Sequence, residues 1–223
     1  MIDPLYTVKE KYIPNRVLLA KNKNKSWKYG YDEKYDIIII SKDGTLGEVY
    51  DISGLIVGLP SCSKKLDKSD NKWVKSEYPE QLKKLRTVFD WNKRDDLFKS
   101  KWVDYIEEEF NRREQGYWFM NNKTPTYLTG THYMYLQWTK IDVGRPDFRE
   151  ANRIFYIFWE ACVADYRSFG MCYLKNRRSG FSFMSSCEAV NTATISRNAR
   201  IGVLSKTGSD AKKMFTDKIV PIS

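Results

Sequence analysis

Hydrophobic and polar positions in the second half of the chain predict strands and helices that alternate. The apolar run 171–174 is typical of a buried strand, and apolar residues recur at helical spacing over 182–196. A second strand is predicted over 198–205, and a second helix over 210–220. The order strand, loop, helix, strand, helix favours a parallel sheet with right-handed crossovers, and therefore an α/β fold class.

A basic turn joins the first of these strands to the first helix. The turn spans 175–182 and reads Lys-Asn-Arg-Arg-Ser-Gly-Phe-Ser. A helix N-terminus presents unpaired backbone N–H groups and the positive end of the helix dipole, so this place attracts phosphate. Gly180 and Ser182 match the P-loop pattern G-x-x-x-x-G-K-[ST]. Lys175 stands at its first glycine position and Phe181 at its usual lysine position. The alternative is an ordinary basic turn between a strand and a helix.

The pattern in the first half of the chain predicts a small α+β domain over residues 1–116. A β-branched run followed by the dipeptide Asp-Gly predicts a β-hairpin within 36–59. A lysine-rich polar stretch predicts a linker over 60–76. Apolar periodicity then predicts two helices, over 79–90 and 95–114.

The second predicted domain, residues 117–223, contains the basic turn. A short apolar run at 117–120 and an aromatic-rich stretch at 126–138 come first. A long amphipathic helix is predicted over 146–169, and we expect its apolar face to pack on the parallel sheet.

The charge balance narrows the class of partner. Lys and Arg number 38 against 28 Asp and Glu, which gives a net charge of +10. Such an excess favours a polyanionic partner, and nucleic acid is the first candidate; the alternative is a basic surface that only maintains solubility. His132 is the single histidine and no C-x-x-C pair occurs, which argues against a zinc site. No apolar run approaches membrane-spanning length, so a soluble cytosolic protein is expected.

Three segments together resemble the large terminase subunit, the ATP-driven DNA-packaging motor of tailed bacteriophages. The turn at 175–182 resembles the deviant P-loop of terminases that place the lysine at the start of the loop. The segment 204–211 is similar to the strand and turn that follow the P-loop helix, and 127–136 resembles an aromatic segment before the ATPase core. The resemblance covers roughly residues 117–219. It implies that 117–223 form the first half of a P-loop NTPase-type core.

The resemblance also implies a role for each residue of the turn. Backbone N–H groups of Ser179, Gly180, Phe181 and Ser182 would cradle the β-phosphate of ATP, and the Ser182 hydroxyl would ligate Mg²⁺. Lys175 would take the charge role of the missing lysine, and Arg177 or Arg178 would offset charge on the γ-phosphate during catalysis. Gln137 lies just before the core and is predicted to read the adenine edge. The alternative is a surface glutamine at the end of a helix.

Partners follow from the same resemblance. They are double-stranded DNA held without sequence readout, the portal protein and the small terminase subunit, in a ring oligomer in the host cytoplasm. No apolar strand ending in Asp-Glu follows the turn, so negligible ATP hydrolysis is expected from these 223 residues alone. Two other readings stay open: a different P-loop enzyme, such as a helicase or nucleotide kinase, and a basic non-enzymatic module that binds nucleic acid or a viral assembly partner.

Overall fold

The computed structural model describes residues 29–62, 66, 72–77, 79–80, 102–142 and 144–222. These residues form a mixed α/β fold with a small mixed sheet, a separate β-hairpin and several helices. The strands are β1 (Gly30–Asp32), β2 (Ile37–Ile39), β3 (Val49–Ile52), β4 (Leu55–Gly58), β5 (Tyr117–Asn121) and β6 (Thr124–Leu128). The α-helices are α1 (Val103–Gln115), α2 (Gly130–Gln137), α3 (Glu150–Ala164), α4 (Phe181–Ile195) and α5 (Gly208–Met214).

The four strands β1 to β4 form the front sheet, in the order β1-β2-β4-β3. Its central strands β2 and β4 are parallel, with Ile38 opposite Val57, and the outer strands run antiparallel to their neighbours. The isoleucines of β2 explain its central place. Ile37 and Ile39 are buried in one cluster and Ile38 in another, so both faces of the strand are covered. Strands covered on both faces belong in the interior of a sheet.

The hairpin predicted around Asp43 pairs differently from the prediction. The chain does not fold back on β2 but crosses to β4, where the Gly47 N–H donates to the Leu59 carbonyl at 2.8 Å. The hairpin that forms joins β3 to β4 across Ser53 and Gly54, at φ 51° and 90°. Burial explains the difference, because pairing with both β1 and β4 places the isoleucines of β2 out of contact with water.

Helix α3 covers one face of the front sheet. Its residues Ile157, Ala161 and Ala164 form one cluster with side chains of β2, β4 and β6. The helix predicted over 146–169 is confirmed over its middle part, but it packs on the front sheet rather than on a sheet around the basic turn. The cluster contains residues from both predicted domains, and the boundary at residue 116 stays a prediction.

About half of the predicted linker over 60–76 lies outside the described residues. The helix predicted over 79–90 also lies outside them, except for residues 79–80. Helix α1 confirms the second half of the helix predicted over 95–114. One carboxylate from its acidic cluster, Glu109, is buried and has structural partners. It accepts hydrogen bonds from the Tyr133 hydroxyl at 2.7 Å and from the Trp138 indole at 2.9 Å.

The helices predicted over 182–196 and 210–220 are confirmed. The first is α4, and the second is α5 followed by a π-helical turn at Phe215–Ile219 and a 3₁₀ turn at Val220–Ile222. The two strands predicted beside them are wrong for the described structure. Residues 171–176 and 199–205 have no regular secondary structure and pair with no described strand.

Exposure explains why these two strands do not form. Leu174 and Leu204, which the pattern assigned to a core, are 99% and 98% exposed. A strand is stabilised by hydrogen bonds to a neighbouring strand and by the burial of at least one face, and neither segment has them here. The parallel pair of the described residues is β2 with β4, in the front sheet.

Helix α2 lies at the centre of the helical part of the molecule. The β5–β6 hairpin leads into it, and the Thr129 hydroxyl caps it by accepting a hydrogen bond from the His132 N–H at 3.3 Å. All eight residues of α2 are buried, and α1, α3 and α4 pack around it. The helix therefore depends on tertiary packing rather than on a solvated polar face.

His132 is an unusual occupant of this centre. Its ring stacks between Phe148 and Tyr156, at centroid distances of 5.8 and 5.0 Å. Among the described residues, no group hydrogen-bonds either ring nitrogen. Burial lowers the pKa of His132 from 6.5 to about 3, and the nearby Arg153 acts in the same direction. The imidazole is therefore neutral at pH 7 and serves as a packed aromatic ring.

We predict that His132 makes stability depend on pH below neutrality. The pKa of His132 is lower in the folded state than in the unfolded state. Between the two values, the imidazole binds a proton in the unfolded chain but not in the folded chain. The free energy of unfolding should then decrease by about 1.4 kcal/mol for each unit by which the pH is lowered, from the unfolded pKa down to the folded pKa. Urea unfolding of wild type and His132→Leu from about pH 7 to about pH 4 measures this, since the shared carboxylates cancel in the difference. A difference that stays constant over this range would contradict the prediction.

Candidate phosphate-binding loop

The basic turn at 175–182, here called the basic loop, ends at the start of α4 as predicted. Gly180 is the N-cap residue with φ 79°, a left-handed conformation that glycine adopts without strain. Arg178 is also left-handed, with φ 68°. The N–H groups of Phe183 and Met184 both donate to the Gly180 carbonyl, at 3.0 and 3.2 Å.

The first turn of α4 has the properties of an anion site. The N–H groups of Phe181 and Ser182 precede the first intrahelical bonds and have no partner within the helix. No described side chain caps this helix start. These groups and the helix dipole favour a negative charge in front of Gly180.

Three neighbouring helices hold α4 in place. The Asn191 amide donates to the Arg113 carbonyl of α1 at 3.1 Å and to the Thr131 hydroxyl of α2 at 3.0 Å. Nearer the loop, the Tyr156 hydroxyl of α3 donates to the Met184 carbonyl at 3.2 Å. Polar contacts along α4 therefore hold the helix and fix the position of its N-terminus.

An aromatic stack joins Tyr173, two residues before the basic loop, to Phe181 near the end of the loop. The ring of Tyr173 lies on the ring of Phe181 at 5.2 Å and 18°, and Phe155 meets both rings edge-on, at 5.0 and 5.6 Å. Phe181 stands where a P-loop has its lysine, and its side chain packs in this cluster. Its backbone N–H remains available for a phosphate, whereas its side chain has a structural role. The packing of Tyr173 and Phe155 on Phe181 was not predicted from the sequence. The aromatic residues on either side of the charged positions, Tyr173 and Phe181, were a signal for the stack between those two.

The charged residues of the basic loop are exposed. Lys175, Arg177 and Arg178 form no ion pair or hydrogen bond with any described residue. They lie in the six residues, 175–180, that lead into the uncapped helix start. Their charge is therefore not neutralised by the described protein and adds to the attraction for an anion.

The two serines of the basic loop differ in environment. Ser182 is exposed, and its carbonyl accepts a hydrogen bond from the Ser185 hydroxyl at 3.2 Å. The Ser179 hydroxyl is buried and has no hydrogen-bond partner among the described residues. Within these residues no group of three His, Cys, Asp or Glu side chains could hold a metal ion. A Mg²⁺ ion at this loop would therefore depend on Ser182 and on phosphate oxygens.

Gln137 lies at the end of α2, and the structure gives it a specific partner. It is only 1% exposed, so the alternative of a surface glutamine is wrong. Its amide donates to the Ser76 carbonyl at 2.8 Å and accepts from the Ser76 N–H at 3.1 Å. Arg145 also donates to the Ser76 carbonyl, at 2.7 Å. The donor and acceptor that would read adenine thus bind backbone in this conformation, and the adenine role stays a prediction.

Comparison of the chain with protein-family models, with curated proteins and with solved structures finds no match. None of the described helices is long and apolar enough to cross a bilayer. Any assignment of function must therefore come from the residues of the loop and their surroundings.

We predict that Tyr173 and Phe181 are energetically coupled. Stacked or edge-on aromatic pairs contribute about 0.5–1.5 kcal/mol beyond the area that they bury. A double-mutant cycle with Tyr173→Leu and Phe181→Leu, followed by chemical denaturation, should give a coupling energy in this range. Tyr166→Leu combined with Phe181→Leu is the control, because Tyr166 packs on Tyr31 instead, and should show no coupling. Equal coupling energies in both cycles would show that the stack of Tyr173 on Phe181 does not specifically stabilise the basic loop.

Proposed function

We propose that this chain is the N-terminal and early ATPase part of a phage large terminase subunit, which uses ATP hydrolysis to package double-stranded DNA into a procapsid. The observation behind the proposal is the basic loop. It joins an uncapped helix start, a left-handed Gly180 and three cations without described partners. The resemblance of the three segments supports the same assignment.

The residues of the basic loop fit the phosphates of a nucleotide. Backbone N–H groups from Ser179 to Ser182 surround the β-phosphate, as the conformation of Gly180 allows. Lys175 reaches the β- and γ-phosphates from the start of the loop. Arg177 or Arg178 stabilises charge that develops on the γ-phosphoryl oxygens during transfer.

Ser182 is the residue that fits Mg²⁺, because its hydroxyl is exposed one residue after the helix begins. A Mg²⁺ ion held by Ser182 would neutralise charge on the phosphate oxygens. Hydrolysis further requires a carboxylate for the ion and one to position water, and the basic loop supplies neither. A functional motor would draw them from additional sequence or a neighbouring subunit of the ring.

The exposed side chains of Leu174 and Leu204 fit an assembled motor, in which a partner chain covers them. The portal protein and the small terminase subunit are the assembly partners in the host cytoplasm.

A DNA-binding role is supported by the basic surface after α4. Five cations there are exposed: Arg197, Arg200, Lys206, Lys212 and Lys213. None of them pairs with a carboxylate of the described residues. Flexible cations of this kind suit phosphate contacts that position a duplex without reading its bases. The sequence has further lysines at Lys21, Lys23, Lys25 and Lys28, which lie outside the described residues.

We predict that Mg-ATP stabilises the protein through the basic loop. At ten times its dissociation constant, a ligand of the folded state adds about 1.4 kcal/mol, or roughly 3–6 °C in Tm for a chain of this size. Lys175→Ala removes a phosphate contact and Gly180→Ala strains the left-handed cap, so both should abolish most of the shift in a thermal-shift assay. Lys140→Ala, an exposed lysine outside the loop, is the control.

The same assay separates the competing functions. A shift by Mg-ATP that survives in both loop variants would place nucleotide binding elsewhere and contradict the proposal. No shift in wild type would favour a basic module without nucleotide chemistry. A helicase or nucleotide kinase would share the loop result, but it would show turnover without DNA-packaging partners.

We predict sequence-independent DNA binding that weakens steeply with salt. Each phosphate contact adds about −0.9 to the slope of log affinity against log salt concentration. Fluorescence anisotropy with two unrelated duplexes should give equal affinities and slopes. Lys212→Gln combined with Lys213→Gln should reduce the slope by about 2, whereas Lys140→Gln should leave it unchanged. Tight binding to only one duplex would contradict a grip on phosphates alone.

A further inference from the structure

Two aromatic side chains are exposed just after the end of α3, on the chain that leads to the basic loop. Phe169 is fully exposed and Tyr166 is 71% exposed. A single exposed apolar residue is normal on a protein surface, but large rings exposed close together mark a place of interaction. Neither ring has a role in the proposed phosphate site.

A hydrogen-bonded turn presents Phe169 to solvent. The Ser168 N–H donates to the Asp165 carbonyl at 2.9 Å, and the Ser168 hydroxyl donates to the Gly170 carbonyl at 3.3 Å. Gly170 has φ 147°, a conformation that favours glycine. The Phe169 ring contacts no aromatic ring of the described residues. Both of its faces are therefore open to a flat partner.

Tyr166 supplies a second ring, which is exposed but held in place. Its hydroxyl donates to the Glu33 carboxylate at 2.7 Å, and its ring meets the Tyr31 ring at a centroid distance of 6.3 Å and 55°. These contacts fix the tip and one side of the ring and leave most of it in water. A ring fixed in this way loses little conformational freedom when a partner binds to it.

The sequence around the two rings is exclusively basic. Between Asp165 and Glu188 it contains four cations and no carboxylate. Arg167 pairs with Asp165 at 2.8 Å, whereas the other three are the exposed cations of the basic loop, which have no described partner. Six residues along the chain separate Phe169 from the first of these cations, a distance of at most about 22 Å.

Exposed rings beside unpaired cations favour a single-stranded nucleic acid as the partner. Proteins that bind single strands combine positive charge for the phosphates with aromatic side chains on which successive bases stack. The bases of a duplex already stack on each other inside the helix, so a duplex can use the charges but not the rings. The combination therefore fits a strand whose bases are free.

We propose that the segment 166–178 binds single-stranded nucleic acid. Bases stack on Phe169 and Tyr166, and the three cations of the basic loop contact phosphates. Stacking tolerates every base, so the strand is bound without sequence readout. The site does not require nucleotide binding at the basic loop, and Phe169→Ala should leave the thermal shift by Mg-ATP unchanged. Failure of one proposal is thereby distinguishable from failure of the other.

Fluorescence anisotropy of the full chain tests the site with four labelled probes of about 15 nucleotides. They are oligothymidine, oligouridine, an abasic strand of equal charge and a duplex. We expect the better of oligothymidine and oligouridine to bind at least about tenfold more tightly than the abasic strand, because stacking needs bases. The tighter of these two probes identifies the sugar that the site takes.

Variants of Phe169 separate stacking from a plain apolar contact. Phe169→Ala and Phe169→Leu should each weaken single-strand binding by about tenfold, because leucine is apolar but has no planar ring. The side chain is fully exposed, so neither change should affect folding. Phe110→Ala truncates an exposed phenylalanine of α1; it is the matched control and should bind like wild type.

The charges are tested by the salt dependence of the same binding. Replacing Lys175, Arg177 and Arg178 together by Gln should reduce the slope of log affinity against log salt concentration by about 2, at roughly 0.7 for each phosphate of a single strand. An unchanged slope would remove the basic loop from the site and contradict the proposal.

Three further results would overturn the proposal. Equal affinity for the abasic strand and the strands with bases would assign the exposed rings to a protein partner instead. Unchanged single-strand affinity in Phe169→Ala would exclude stacking on this ring, and an equal loss of duplex binding in that variant would exclude a preference for free bases. The comparison of probes uses wild type only, so it is decisive whatever the stability of the variants.

Discussion

The complete burial of α2 is the constraint on which the rest of the described structure depends. Gly130 begins this helix so close to α1 that a Cβ atom would lie 2.0 Å from the Arg113 carbonyl oxygen. That close approach lets Asn191 of α4 bond to Arg113 of α1 and to Thr131 of α2 at once. A larger residue at Gly130 would separate the two helices and release α4, so the position of the basic loop follows from the packing of α2.

The basic loop combines a rigid base with free charges. Tyr173 and Phe181 close its ends, and Gly180 sets the angle at which the chain enters α4. Lys175 and the two arginines extend from this frame into solvent without described partners. A frame of this kind aligns backbone N–H groups before a phosphate arrives, which lowers the entropy that binding would otherwise cost. Phe181 thereby stabilises the loop where a standard P-loop would use a lysine for charge.

Local pattern predicted the helices and the glycine turn but not the partners of the strands. The periodicity of 182–196 and the position of Gly180 depend on nearby residues, and both agree with the structure. The apolar runs at 171–174 and 198–205 require a neighbouring strand, which local sequence does not specify, and they remain unpaired. The pairing of β2 with β4 and the bond between Gln137 and Ser76 join residues that tertiary packing brings together. Such contacts have no local signature.

The central claim is that the basic loop holds nucleotide phosphates on the N-terminus of α4. The most direct measurement is an NMR titration of the backbone amides with Mg-ADP. We expect the amide protons of Gly180, Phe181 and Ser182 to shift together and to saturate at one concentration, because in the proposed complex all three face the β-phosphate. Shifts that saturate elsewhere while these three amides stay unchanged would contradict the claim.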